Sequence, residues 1–293
     1  MTSIELTAPA KVNLFLRVLG RRRDSYHNIL TLFERISLSD TVMITKTSEK
    51  GIIVTSDKPI TAQACDNIAY KAAELLLHYR KVDCGVCIHI KKNIPLAAGL
   101  GGGSSDAAAV LVGMNRLFGL RINRVTLSRL GSKIGADVPF FILNTPFAIG
   151  TGRGDTLSKV DMAFKPWHLL VYPGPFKAST RDIYARLDRE PKCLTRFSGD
   201  ATIPLPKKWE GLEGLLYNDL GSVAAKQRPV IGRTLRCLAS SLGKRTIVSG
   251  SGPSVFCLYR TRKEALGAQR KLFRSVPLAV RKRWQVFIVS TEV

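Results

Sequence analysis

The chain has 293 residues, 45% of them hydrophobic, enough for a full core in one large or two medium domains. Its 45 Lys and Arg against 22 Asp and Glu give a formal charge of +23, which points to polyanionic company: nucleic acid, acidic lipid or phosphorylated small molecules. The basic runs are short and dispersed (Arg21–Arg23, Lys91–Lys92, Lys207–Lys208, Arg281–Arg283), so a generally basic, solvated surface explains them at least as well as a dedicated nucleic-acid face. The opening residues lack the apolar centre of a signal peptide. Between Asn93 and Asn115 the only charge is Asp106, but the glycines and serines in the middle argue against a membrane span. A soluble, cytoplasmic protein is expected. Its six cysteines (65, 84, 87, 193, 237, 257) are read as buried, reduced thiols. Cys84 and Cys87 have the spacing of a metal knuckle or redox pair, but no second pair accompanies them.

In chain order, "AKVNLFLRVLG", "TVMITKT" and "GIIVTS" are β-rich runs separated by turn residues. "NIAYKAAELLLHYRK" has helical apolar spacing and a basic end. "CGVCIHIKKNI" alternates like a strand and leads into "PLAAGLGGGSSDAAAVL", a glycine loop opening a helix that stops near Gly119. "VTLSRLGSKIG" predicts a helix ending at Gly135, and "ADVPFFIL" a short turn into an apolar segment. From about Thr145 to Trp167 the pattern breaks up, which fits a domain crossing. Beyond it come a strand in "WHLLVYPGP", a helix near Asp182–Asp188, and a polar stretch over Glu190–Lys208. A helix near Ser222–Leu242, a strand–glycine turn–strand in "TIVSGSGPSVFCLYR", a helix from Arg262 and a last strand in "WQVFIVST" complete the chain. The architecture expected is α+β in two lobes.

A glycine run that opens a helix brings several backbone N–H groups and the positive helix end to one point, which suits an anion and above all phosphate. Bare backbone at Gly99, Gly101, Gly102 and Gly103 lets phosphate oxygens come close. Ser104 and Ser105 can cap the helix, donate to phosphate or help hold Mg²⁺. A plain strand–helix connector is the alternative. The run is neither G-x-x-x-x-G-K-[ST] nor G-x-G-x-x-G, so generic motifs leave only a phosphate or nucleotide binder.

"PLAAGLGGGSSDAA" closely resembles the second motif of the GHMP kinases. "APAKVNLFL" at Ala8–Leu16 is similar to their first motif and "VSGSGPSVF" at Val248–Phe256 to their third, in the same order. The resemblance covers essentially the whole chain. It implies a two-lobed GHMP kinase fold, with a ribosomal S5 domain 2-like N-terminal lobe holding ATP (1–150) and a ferredoxin-like C-terminal lobe (151–293) completing the substrate cleft. "AKVNLFLRVLGRRRDSYHNI" and "GADVPFF" resemble the members whose small-molecule substrate is a cytidine diphosphate-linked methylerythritol. The implied reaction moves the γ-phosphate of ATP, with Mg²⁺, to its 2-hydroxyl. Two departures are Ser25, where such members usually carry glycine before the tyrosine, and Arg181 after Thr180.

Residue by residue, the resemblance makes Asp137 the base and Lys11 the cation beside it. From the residues alone, Asp137 is equally readable as a cap on the next turn and Lys11 as a surface lysine. Asn13 lies on the same strand side as Lys11 and would bind the polyol; a strand-end amide is the plain alternative. Tyr26 and His27 match a cytidine-reading pair, one ring to stack and one to hydrogen-bond. Thr180 and Tyr184 would line the same pocket from the second half. Pro95, Leu96, Ala97, Ala98, Gly99, Leu100, Gly101, Gly102, Gly103, Ser104 and Ser105 would hold ATP, while Gly250, Ser251 and Gly252 would approach the phosphates or brace that loop. Asp106, in the helix's first turn, already suits the helix dipole. No metal ligand is assigned, and a monomer or homodimer without membrane partners is expected. Two rivals stand: another small-alcohol kinase of the family, or a basic nucleic-acid binder on a related fold, whose affinity would fall steeply with salt.

Overall fold

The computed structural model describes residues 2–60, 63–174, 180–189 and 202–293. The chain forms two compact units: residues 1–10, 38–96 and 101–145 make the first, and residues 11–37, 97–100 and 146–293 the second. Two long strands, β1 (Ser3–Arg21) and β2 (His27–Thr47), contribute to both.

In the first unit, β4 (Gly85–Lys91) pairs antiparallel with Thr41–Thr47 of β2 and parallel with β3 (Ile52–Ser56). Four helices complete this unit: α1 (Ile68–Arg80), α2 (Gly102–Leu117), α3 (Arg124–Ile134) and α4 (Val138–Leu143). Asn67 and Asn123 cap α1 and α3 with their side chains. The alanines 107–109 of α2 are all buried. A methyl at Gly113 would fall 2.6 Å from Ile44 and from Leu6, so the small residues let α2 lie directly on the strands. "PFFIL", expected as an apolar segment after a turn, is the helix α4, because proline fits its first turn.

In the second unit, β7 (Trp167–Tyr172), β9 (Ile247–Val248), β10 (Val255–Tyr259) and β11 (Gln285–Ser290) form an antiparallel sheet in the order β11-β7-β10-β9. β10 is buried along its whole length. Its helices are α5 (Thr180–Leu187), α6 (Trp209–Leu215), α7 (Asp219–Gln227), α8 (Pro229–Leu242), α9 (Arg262–Ser275) and the one-turn α10 (Leu278–Arg281). Ile183, Leu220, Ile231, Leu238 and Leu272 join Leu169 and Val171 of β7 in one core. The two-residue β8 (Tyr217–Asn218) runs parallel to Phe15–Leu16 of β1.

Four local expectations are corrected. The stretch from Thr145 to Trp167 is not patternless: β5 (Phe147–Thr151) pairs with Thr31–Glu34 of β2 and turns back into β6 (Thr156–Lys159). These strands are too short for alternation to show. The single helix expected over 222–242 is two, because Arg228 is extended and Pro229 starts α8. The cysteines are free but not uniformly buried: Cys65 is exposed, Cys84, Cys87 and Cys237 are half-buried, and only Cys257 is fully enclosed among the described residues. Lys92, read with Lys91 as part of a solvated run, is buried. Cys193 and most of the Glu190–Lys208 stretch lie outside the described residues. Among the described residues, no helix is long and apolar enough to cross a membrane.

Candidate active site

The chain leaving β4 is pinned before it reaches the glycines. Asp40 Oδ1 accepts the N–H groups of Asn93 and Ile94 at 2.6 and 2.8 Å, and Asp57 Oδ1 accepts that of Lys92 at 2.8 Å. The Lys92 ammonium donates to Asp40 and, at 2.7 Å, to Asp106, which lies just past the first turn of α2 and not in it as expected, because the helix starts at Gly102. All three side chains are buried. Burial pushes the Asp106 carboxyl up to about 7, with Lys92 pulling the other way. Burial acts to lower the pKa of Lys92, but the two carboxylates outweigh it and the value is raised. Asp106 is thus tied to Lys92 inside the protein, with its Oδ1 left without a hydrogen-bond partner.

Helix α2 begins at Gly102, three residues earlier than a cap at Ser104 would place it, so Ser104 and Ser105 lie inside its first turn and neither caps it. Gly101 takes the cap position in the left-handed region (φ 70°) and has no side chain to bond with. The first rung of the helical ladder is Ser105 N–H to the Gly101 carbonyl at 2.9 Å, which leaves the N–H groups of Gly102, Gly103 and Ser104 ahead of it. The buried Ser105 Oγ has no hydrogen-bond partner. Helical N–H groups ahead of the ladder and a positive helix end make a place for an anion with several oxygens.

The glycines are there for different reasons. Gly99 (φ +77°) lies so close to the turn after β9 that a Cβ would meet the Ser249 carbonyl at 2.3 Å and the Gly252 carbonyl at 2.8 Å. Ser249 Oγ donates to the Gly99 carbonyl at 2.9 Å, and Ser254 N–H to that of Ala98 at 3.1 Å. The third motif therefore braces residues 97–100. Gly102 packs against Ile94, 3.0 Å from a would-be Cβ. Gly103 differs: a Cβ there would find only Ile68 Cδ1, at 3.9 Å. Nothing described in the protein needs that position bare.

Asp137 stands at the N-cap position of α4, in helical backbone conformation, and makes no capping hydrogen bond to it. The capping alternative is therefore not realised. Pro95 and Leu96 lead into the loop, with Leu96 partly exposed, and Leu100 is buried, its carbonyl accepting the Lys11 N–H at 2.9 Å.

In the second unit, Lys11 and Asn13 are both buried on β1, and Lys11 Nζ donates to Asn13 Oδ1 at 2.8 Å. Asn13 Nδ2 donates to Thr31 Oγ1 at 2.8 Å, and that hydroxyl donates to the Phe15 carbonyl at 2.7 Å. The chain of bonds fixes the amide orientation, so Asn13 is no strand-end amide and Lys11 no surface lysine. A Cβ on Gly250 would lie 3.5 Å from Asn13 Oδ1 and 3.6 Å from Lys11 Nζ, so the third motif also borders this pair.

Tyr26 and His27 point different ways from the β1–β2 turn, as strand neighbours do. Tyr26 is 53% exposed, with the Arg153 guanidinium 5.0 Å from its ring centre. His27 is buried, stacked on Tyr184 at 4.7 Å, and its Nε2 lies 2.7 Å from Asp188 Oδ1. Thr180 Oγ1 sits 2.9 Å from Ser251 Oγ, tying the start of α5 to the third motif. Arg181 is exposed, and Ser25 adopts φ 67°, a glycine conformation. The sequence reading missed Asp40, Lys92, Arg153 and Asp188. Only the spacing of Tyr184 and Asp188, four apart on a helix end, signalled one of them.

Comparison with known proteins follows the same outline. A model described as the GHMP kinases N terminal domain matches residues 67–145, and one described as GHMP kinases C terminal matches residues 207–277. The chain is 38% identical over 275 residues to the 4-diphosphocytidyl-2-C-methyl-D-erythritol kinase of Geobacter metallireducens, covering 94% of this chain and 96% of the relative. It is 37% identical over 288 residues to the enzyme of the same name from Syntrophus aciditrophicus, covering 98% and 99%. A crystal structure of 4-(cytidine 5'-diphospho)-2C-methyl-D-erythritol kinase superposes with a TM-score of 0.77 at 30% identity, over 99% of this chain and all of that one. Mevalonate kinase from Methanococcus jannaschii, at 15% identity and a TM-score of 0.72 over 100% of this chain and 99% of that one, shares the fold.

Proposed function

This chain belongs to the GHMP kinases, an ATP-using family, and on that premise we propose that it phosphorylates the 2-hydroxyl of 4-diphosphocytidyl-2-C-methyl-D-erythritol, in the non-mevalonate route to isoprenoid precursors. The observation that carries the phosphate-transfer reading is the open first turn of α2. Three N–H groups precede its ladder, and Gly103 leaves its approach clear. The substrate is supported by the name that the near-full-length relatives share.

In the reaction the acceptor oxygen forms a bond to the γ-phosphorus, the bond to the β-phosphate oxygen breaks, ADP leaves, and the hydroxyl proton passes to a base. Such transfer is mostly positioning and charge stabilisation. Residues 95–105 hold the ATP phosphates through backbone N–H groups. Asp137 takes the proton, and its side chain is not used as a helix cap. Lys11, aimed by the Asn13–Thr31 chain of bonds, stabilises the developing negative charge. Asn13 holds the polyol, and Tyr26, His27, Thr180 and Tyr184 the cytidine end.

Among the described residues no three His, Cys, Asp or Glu side chains cluster as a metal cage. Mg²⁺ is commonly held by substrate phosphates and few protein groups. Ser104 and Ser105 are the hydroxyls the first turn of α2 offers to it or to a phosphate oxygen. When bound, Mg²⁺ would neutralise phosphate charge.

The test is ADP release with ATP, Mg²⁺ and the cytidine substrate. Turnover should require that substrate, and Asp137→Asn should lower kcat by about 10²–10⁴ with the KM for ATP unchanged. A folded, ATP-binding protein without turnover would overturn the substrate, and an unchanged kcat would overturn the base.

A further inference from the structure

We propose that Asp188 is a positioning residue for His27, and that by fixing one tautomer of that imidazole it makes the site select cytosine over uracil. The inference rests on His27 reading the base, as above. It adds how that reading acquires its direction.

The last turn of α5 and the residue just after it supply the two contacts to the ring. Tyr184 and Asp188 are four residues apart, so they share a helix face, and Asp188 N–H donates to the Tyr184 carbonyl at 3.0 Å. The Tyr184 ring lies against the imidazole with centroids 4.7 Å apart and planes 19° from parallel. Asp188 Oδ1 lies 2.7 Å from Nε2, while its Oδ2 faces Arg21 Nη1 at 3.9 Å. Stacking removes tilt, and the short hydrogen bond removes the half-turn flip that would exchange the two ring nitrogens. His27 is only 6% exposed at its side chain, so little water competes for the bond.

A carboxylate accepts and does not donate. Its partner nitrogen must therefore carry the proton, and in the neutral ring Nδ1 is left with a lone pair. At the edge of a pyrimidine, cytosine offers the N4 amino group as a donor where uracil offers the O4 carbonyl as an acceptor. An accepting Nδ1 attracts the first and repels the second. The opposite tautomer would reverse the preference. One half-buried carboxylate thus decides which nucleotide-linked alcohol is held.

Wild type, Asp188→Ala and Asp188→Asn should be assayed with the cytidine substrate and with its uridine counterpart, alongside nitrogen-15 NMR of the His27 ring. The wild type should show the Nε2–H tautomer and prefer cytidine. Asp188→Ala should raise the KM for the cytidine substrate about tenfold, the size of one hydrogen bond, with kcat and the KM for ATP close to wild type. The cytidine-to-uridine ratio should shrink by a similar factor. Asp188→Asn keeps the size and a hydrogen bond but can present a donor or an acceptor, so it should fold normally and still lose the preference. If the wild type turns over the cytidine substrate and both variants keep its base preference and tautomer, the proposal is overturned. If the wild type turns over neither substrate, the underlying reading of the site is what fails.

Discussion

Substituting Gly103 and Gly99 by alanine separates a glycine kept for a ligand from one kept for the fold. Gly103 lies in regular helix, where glycine costs about 0.5–1 kcal/mol relative to alanine, and its new methyl would touch nothing closer than 3.9 Å. Gly103→Ala should therefore leave the protein as stable or raise Tm by about 1–4 °C. The same methyl would occupy the open approach to the α2 N–H groups. The KM for ATP should rise at least about tenfold, a loss of about 1.4 kcal/mol. Gly99→Ala should do the reverse of this in stability. A left-handed backbone with a side chain costs about 1–2 kcal/mol, and the Cβ would sit 2.3 Å from a backbone oxygen, where ordinary contact begins near 3.4 Å. A total of about 3 kcal/mol corresponds to a Tm lower by about 6–12 °C. Differential scanning calorimetry and initial-rate kinetics on both variants supply the data. If Gly103→Ala binds ATP like the wild type, the reason given for that glycine is wrong.

The buried Lys92 should be indispensable to folding: Lys92→Met leaves Asp40 and Asp106 facing each other without a cation, a loss of about 3–5 kcal/mol in urea denaturation. Asp106 should make stability fall with rising pH. Its folded pKa of about 7 exceeds the unfolded 3.8, so the native state binds the extra proton between these values. Its contribution is complete below about pH 4 and lost as pH rises through 7; Asp106→Asn should flatten that part of the profile, and a wild-type curve level across pH 4–7 would contradict the assignment. Ser25→Gly should stabilise by about 1 kcal/mol, because Ser25 is held at φ 67°. Thermal melts at neutral pH would show it as a rise of a few degrees.

The elements with strong local signals were legible from the chain alone. The amphipathic run of α1, the alternation of β4, the glycine stop of α3 and the start of α9 all follow from short-range sterics and side-chain periodicity, which act within a few residues. The three motifs likewise carried the family. Elements whose pairing partners lie far along the chain were less visible. β5 is a strand because it pairs with β2, β6 because it pairs with β5, and β8 exists only beside β1.

The sequence by itself determined that a glycine loop opens a helix, that Lys11 and Asn13 share a strand side, and that the chain is a GHMP kinase. What each loop glycine is for depended on distances to residues about 150 positions away, such as Ser249 beside Gly99. The burial of Lys92 between Asp40 and Asp106, and the grip of Asp188 on His27, 161 positions apart, were equally undecided until the chain was folded. Dihedral preferences and periodicity are properties of neighbours, and a sequence displays them directly. An ion pair or a fixed tautomer is a property of atoms within 3 Å, and only tertiary packing sets which atoms those are.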